Sequence, residues 1–260
     1  MIYNPKISVI TICFNIENEV EATIQSVTSQ TYSDKELIVI DGASTDGTME
    51  IVNKYLHLLS KVVSEPDNGI YDAMNKGLRI ASGEYVVFIN GGDSFADSFV
   101  LEKIAAEIRQ NRAPDFVYAN SIDVQGELKS YRPARCHKYA WYGMFTSHQS
   151  MFYSLALIKH HKLQYDTTYK IAADYKFTLE NLKYAKTYLK SSLYTGCFSS
   201  GGVSQTNKNL GLYEASRARR EVWNMGRVLR GGIILLQFVA RLVATHGGWI
   251  YKKIRFAHHG

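Results

Sequence analysis

Three carboxylates stand at positions where sheet proteins commonly place their chemistry: Asp41, Asp93 and Asp174. Tyr85-Val86-Val87-Phe88-Ile89 is a continuous apolar run of β-branched and aromatic residues, the pattern of a strand buried on both faces. It stops at Asn90-Gly91-Gly92-Asp93, where two glycines permit a tight turn and the close approach of a ligand to the backbone. In open α/β sheets ligands gather outside the carboxyl ends of the strands, so Asp93 is aimed at such a crevice. One carboxylate there suits a hard divalent cation that takes its other ligands from substrate phosphates. It also suits the cap of a following helix. Asp41 ends another apolar run, Glu36 to Ile40, and is either a site residue or the first residue of an Asp-Gly turn. Asp174 opens a helical pattern carried by Phe177, Thr178 and Leu182, where it is a general base or a helix cap.

Other chemistries lack their residues. The first apolar strand, Ile7 to Ile12, runs into Cys13-Phe14-Asn15-Ile16-Glu17 and not into the glycine fingerprint of a dinucleotide fold. A Gly-Lys-Ser/Thr phosphate loop is missing, no serine sits in a nucleophile elbow, and the eight histidines form no zinc pattern. Carboxylate-and-metal chemistry on an open α/β sheet remains.

The elements that must position these residues alternate. Val20, Ile24 and Val27 recur at helical spacing after the first strand, and Met49, Val52, Leu56 and Leu59 do so after the second. Lys61 to Ser64 is a short third strand, and the turn-rich Glu65 to Gly69 leads into a helix from Ile70 to Ala81 with a close-packing face at Gly77. Units of this length imply a parallel sheet with right-handed crossovers. Beyond a further helix marked by Leu101 and Ile104, the pattern shortens. A hairpin turns at Gln125-Gly126, and His148 to Phe152 reads as a short strand. The chain therefore divides into a nucleotide-type half (1–112), a second half of the same domain (113–206) and a basic helical tail (207–260).

Charge separates the tail from the body. Ten Lys/Arg and two Asp/Glu lie from Lys208 onward, a net of +8, whereas the preceding residues hold 20 basic and 22 acidic groups. The excess belongs to an appendage, which argues against a nucleic-acid-binding body. The apolar run from Gly231 to Ala244 falls short of the ~20 residues that span a bilayer. Trp249, Tyr251, Lys252, Lys253 and Arg255 mix aromatic and basic character as interfacial segments do, and the competing reading is a core-packing helix with a solvated end. Cys13, Cys136 and Cys197 are odd in number and widely spaced, as expected of free thiols in a reducing cytoplasm, and the N-terminus carries no signal-peptide pattern.

Four ordered stretches carry a resemblance. Ile7 to Asn15, Asp41 to Thr48, Ser64 to Gly77 and Asn90 to Asp93 resemble family 2 of the glycosyltransferases, and more narrowly its colanic-acid and exopolysaccharide branch; the similarity resumes at His148-Gln149 and Ala173-Asp174. It implies a GT-A fold: a Rossmann-like, mostly parallel sheet with helices on both faces, a smaller mixed acceptor-side sheet and C-terminal helices. It also implies an inverting transfer from a nucleotide-diphosphate sugar to a glycan or polyprenyl-linked acceptor, with the enzyme at the inner face of the cytoplasmic membrane. By position, Thr11, Asn15 and Asp41 correspond to nucleoside contacts, Asp93 to the ligand of Mg2+ or Mn2+, Asp174 to the base, and His148 and Gln149 to the acceptor side. Asp72 and Lys76 are placed towards the phosphates, although Lys76 reads equally as solvated, and His148 reads equally as a buried imidazole. Asn90 and Gly92 correspond to nucleotide-binding positions where the family often has carboxylates, and the glycine puts the ribose contact at Gly92 in question. Two other readings compete: a sugar-phosphate nucleotidyltransferase, which lacks its basic glycine-rich loop here, and a non-catalytic sugar-nucleotide-binding protein.

Overall fold

Strand β1 (Ile7–Cys13) is buried along its whole length, as its seven uncharged residues allow. The computed structural model, which describes residues 3–199 and 207–246, sets it between two parallel neighbours, β2 (Lys35–Asp41) and β4 (Tyr85–Phe88). Strand β3 (Lys61–Ser64) continues the parallel set beyond β2. Alternate side chains of β1 enter different layers, because successive Cβ atoms of a strand point to opposite faces. Ile7 and Val9 pack with residues of α1 (Val20–Thr28), α2 (Thr48–Lys54) and α4 (Val100–Gln110), whereas Ile10 and Ile12 pack with Ala73, Met74 and Leu78 of α3 (Ile70–Ile80). Helix α3 lies close on the sheet because Gly77 has no side chain: a Cβ there would stand 2.5 Å from Ile10 Cγ2.

The second half adds β5 (Ser94–Phe95), β6 (Phe116–Gln125), β7 (Leu128–Arg132), β8 (Met151–Ser154) and β9 (Tyr188–Ser199). One sheet results, in the order β3-β2-β1-β4-β8-β6-β9-β5, with β7 paired to β6. The mixed portion is continuous with the parallel portion: β8 runs antiparallel to both β4 and β6, and β6 and β9 are parallel. The β6–β7 hairpin turns at Gly126, whose φ is +58°. His148 to Ser150, read from sequence as part of a strand, is a 3₁₀ turn, and the strand begins only at Met151. Helix α5 (Leu155–His161) and strand β9 lie where the sequence reading set no element.

Helices α5, α6 (Ala173–Tyr184) and α7 (Lys208–Trp223) join α3 on one face, burying Ile158, Phe177, Leu179, Ala218 and Val222 in a single cluster. Helix α8 (Arg227–His246) meets the body through one stripe: Ile233 is buried, and the Gln237 amide donates to the Tyr142 carbonyl. Its other side presents Val228, Leu235, Leu236, Phe238, Val239 and Leu242. Among the described residues no helix is long and apolar enough to cross a membrane. The interfacial reading of Trp249 to Arg255, and that of the loop at Gly201-Gly202-Val203-Ser204, fall outside the described residues.

Candidate active site

The turn after β4 is built around its glycines. Gly92 has φ +88°, and a Cβ on it would stand 2.5 Å from Glu19 Oε2. Thr23 Oγ1 accepts from the Gly92 amide at 3.0 Å and donates to the Asp93 carbonyl at 2.8 Å, so α1 holds the turn from below. Asp93 caps no helix, since α4 starts seven residues later at Val100. Its carboxylate is nearly buried, and Oδ2 accepts from Gln149 Nε2 at 2.6 Å. Asp174 is no cap either: it is the second residue of α6, whose cap position is Ala172.

The His148-Gln149 dipeptide joins these two carboxylates. While Gln149 reaches Asp93, His148 Nε2 lies 3.1 Å from Asn90 Nδ2 and its Nδ1 lies 3.8 Å from Asp174 Oδ2. With the amide nitrogen facing Nε2, the imidazole keeps its proton on Nδ1, directed at Asp174. This double reach explains the 3₁₀ turn, because in an extended strand adjacent side chains would point to opposite faces. Burial pushes the Asp174 carboxyl up to about 6 and the His148 imidazole down to about 4. Near pH 7 Asp174 is thus a carboxylate with raised proton affinity beside a neutral histidine, and about a quarter of its side chain remains open to solvent. That is the state a general base requires.

Asn15 and Asp41 stand at the ends of β1 and β2, and Asp72 and Lys76 lie on α3. Asp41 is fully buried and accepts from Ser44 N (3.0 Å), Ser44 Oγ (2.5 Å) and Ser64 Oγ (2.6 Å), which ties its own loop to β3. Asn15, at φ +51°, accepts from Thr45 N at 2.8 Å and so fastens the first loop to the second. Asp46 accepts from Thr48 N and Glu17 N, closing the same loop. Asp72 and Lys76 both hold the connection before α3: Asp72 accepts from Asn68 N at 3.1 Å, and Lys76 Nζ donates to Pro66 O at 2.7 Å and pairs with Glu65 at 3.0 Å. Thr11 is enclosed within β1, and its Oγ1 has no hydrogen-bond partner among the described residues. The structure therefore gathers Asn90, Asp93, His148, Gln149 and Asp174 into one contact chain, and Thr11, Asn15, Asp41, Asp72 and Lys76 lie outside it.

Asp93 is chemically suited to Mg2+ or Mn2+, being a hard oxygen donor at a strand end. Among the described residues no group of three or more His, Cys, Asp or Glu could enclose a metal. The fit is therefore to an ion that draws most of its ligands from a diphosphate and water, which is how Mg2+ is commonly held.

The family model for glycosyl transferase family 2 matches residues 8–176, from the first strand through the opening of α6. The chain belongs to this family. A PGL/p-HBAD biosynthesis glycosyltransferase of Mycobacterium bovis is 29% identical over 188 residues, covering 67% of this chain and 69% of that one. A cholesterol galactosyltransferase of Borreliella burgdorferi is 37% identical over 115 residues, covering 44% and 30%. Among solved structures, the 1–349 portion of Staphylococcus aureus TarS bound to UDP superimposes with a TM-score of 0.68 at 22% identity, covering 93% of this chain and 74% of that chain. The mannosyltransferase PcManGT of Pyrobaculum calidifontis, solved with GDP-Man and Mn2+, gives 0.64 at 17%, covering 86% and 66%. The fold is GT-A, and this family 2 glycosyltransferase carries the architecture that its motifs imply.

The match ends at Lys176, yet residues beyond it reach back to the site. Glu214 of α7 is buried and accepts from the backbone N–H groups of Lys170 (2.8 Å), Ile171 (2.9 Å) and Ala172 (2.9 Å). Arg219, with none of its surface exposed, donates to the carbonyls of Trp141 (2.7 Å) and Tyr142 (2.8 Å) and to Tyr175 Oη (3.0 Å). Sequence reasoning missed both, because two charged residues in an Arg-rich helical pattern read as a solvated face. The one available signal was the apolar Ala215, Ala218 and Val222 on the same helix.

Proposed function

We propose that this glycosyltransferase moves a hexosyl or deoxyhexosyl group from a nucleotide-diphosphate sugar to a glycan or polyprenyl-linked acceptor, with inversion, in the synthesis of a bacterial exopolysaccharide, capsule or lipopolysaccharide. One observation carries the reading: Asp93, in the turn after β4, and Asp174, in the first turn of α6, come from different halves of the chain and are linked by adjacent residues, His148 and Gln149. A single displacement needs a diphosphate-stabilising side and a base on the other side, and no covalent nucleophile. The solved relatives that hold UDP, UDP-GlcNAc, or GDP-Man with Mn2+ support a nucleotide-linked donor and a divalent ion.

In this reading Asn15 and Asp41, with Thr11 behind them, form the nucleoside end, and Asp72 and Lys76 act through the 65–69 connection that they hold. Asp93 would hold Mg2+ or Mn2+, which when bound supplies positive charge against the departing diphosphate. Gln149 orients the Asp93 carboxylate, and Gly92 keeps the turn low enough for a donor to approach. Asp174 removes the proton of the attacking acceptor hydroxyl, and His148, held by Asn90, keeps a neutral N–H directed at it.

A thermal-shift screen of UDP, GDP, CDP and dTDP with and without Mn2+ tests the donor, since a ligand of the folded state raises the melting temperature. Stabilisation by one nucleotide that depends on Mn2+ and disappears in Asp93→Asn is expected. No shift with any of the four would remove the reading.

The exposed side of α8 supports placement at the inner face of the cytoplasmic membrane. Its apolar side chains stand beside Arg227 and Arg241, a combination that suits an anionic lipid interface.

A further inference from the structure

We propose that Glu214 is a positioning residue for the base: its carboxylate fixes the 170–172 backbone that presents Asp174, and it sets a second negative charge behind that residue. The inference rests on the proposed role of Asp174 and concerns a helix outside the region shared with the family.

Three hydrogen bonds of 2.8–2.9 Å from consecutive N–H groups converge on Glu214. These amides immediately precede α6, whose cap position, Ala172, has no side chain to bond the first turn. Asp174 sits in the first turn of α6, two residues beyond the last of these amides. Glu214 thus fixes, from a distant helix, the segment that leads into that turn and so sets where Asp174 is presented. Tyr71 adds a bond from the opposite side, donating to Ile171 O at 2.6 Å.

The charge matters separately from the hydrogen bonds. Asp174 is faced by His148 from the 3₁₀ turn, Tyr71 from α3, Tyr153 from β8, Tyr165 from the connection before α6, and Glu214 from α7. Phenols are uncharged at neutral pH and burial holds the imidazole neutral, so the carboxylate that acts on Asp174 from another element is that of Glu214. Its negative charge acts in the same direction as burial, favouring the protonated carboxyl. A base so placed is stronger than an ordinary aspartate.

Two variants separate the effects. Glu214→Gln keeps an acceptor oxygen and removes the charge, whereas Glu214→Asp keeps the charge and shortens the reach. Two readouts are used: the pH profile of nucleotide-sugar turnover, and a stability cycle that compares Asp174→Asn with Asp174 in the wild-type and Glu214→Gln backgrounds. In Glu214→Gln the acid limb of kcat is expected to fall by about half a pH unit, and the stabilisation given by Asp174→Asn near pH 7 to shrink. In Glu214→Asp, kcat is expected to fall about tenfold with the limb unmoved and the donor KM within about twofold. An additive cycle with an unmoved limb, or a Glu214→Asp enzyme with wild-type kcat, overturns the proposal. If Glu214→Gln fails to fold, the kcat of Glu214→Asp decides alone. A wild-type chain that turns over no nucleotide sugar would sink the glycosyltransferase reading, and the stability cycle would still decide the coupling.

Discussion

Asp174 carries opposing demands. Its carboxyl is pushed up to about 6 by burial, so ionising it in the folded protein is unfavourable relative to the unfolded chain, where its affinity for protons is ordinary. The folded state therefore binds the proton more tightly, and stability falls as pH rises from the ordinary aspartate range through about 6. Asp174→Asn should stabilise the protein above that window, by at most about 3 kcal/mol, and lose the advantage below about pH 4. Melting curves at both ends of the window check the sign. Turnover should show the reverse preference: it rises with pH through about 6 in the wild-type enzyme and falls by roughly 10²–10⁴ in Asp174→Asn. A destabilised Asp174→Asn at neutral pH would contradict the burial argument. A site residue that weakens its own fold is expected where function is selected over stability.

At the scale of elements, the parallel half was legible in the sequence and the half that carries Asp174 was not. Strands β1, β2 and β4 are buried on both faces, so they appear as predominantly apolar runs. Strand β9 buries Ser191, Thr195 and Gly196 and exposes Lys190, so no alternation betrays it. The positions of Asp93 and Asp174 could be read locally, but their linkage through a 3₁₀ turn could not, because hydrogen bonds to other segments shape that turn. Glu36 shows the same limit. It stands in an apolar strand yet is buried, accepting from Ser8 Oγ at 2.5 Å and from the Ser82 amide at 2.6 Å, with Lys6 3.0 Å away. Burial alone would push its carboxyl up; the bonds from Ser8, Ser82 and Lys6 outweigh burial and bring it to about 2. Being depressed, it contributes stability above the ordinary glutamate range that is lost as pH falls towards about 2. Glu36→Gln should lower stability near pH 7 by on the order of 3 kcal/mol and make little difference near pH 2, as denaturant melts at the two pH values would show. Packing supplies a second test. Gly77→Ala should cost about 1–3 kcal/mol through the clash with Ile10 Cγ2, and in the double variant with Ile10→Ala, which removes that methyl, the combined loss should be smaller than the sum of the single losses.

At the scale of the molecule, the C-terminal helices divide their work. Helix α7 belongs to the body through Glu214 and Arg219, whereas α8 leaves most of one side uncovered. Sedimentation with anionic vesicles should therefore detect binding that is lost on removing everything after Asn224 and weakened by Leu235→Glu or Phe238→Glu, with the melting temperature of the body little changed. Equal binding by the shortened chain would remove the membrane assignment. The anchoring of the 170–172 backbone by α7 also bears on synthesis. A ribosome makes the chain in order, and every residue matched by the family model has been added by Lys176. Glu214 follows Asp174 by roughly 40 residues, which at about 5–20 residues per second is a delay of several seconds. During that interval the nascent polypeptide holds every residue that the family model matches but not the carboxylate that clasps the entrance to α6. Translation cut short anywhere in that stretch leaves a chain that carries the family's motifs and lacks the part that holds Asp174 in place.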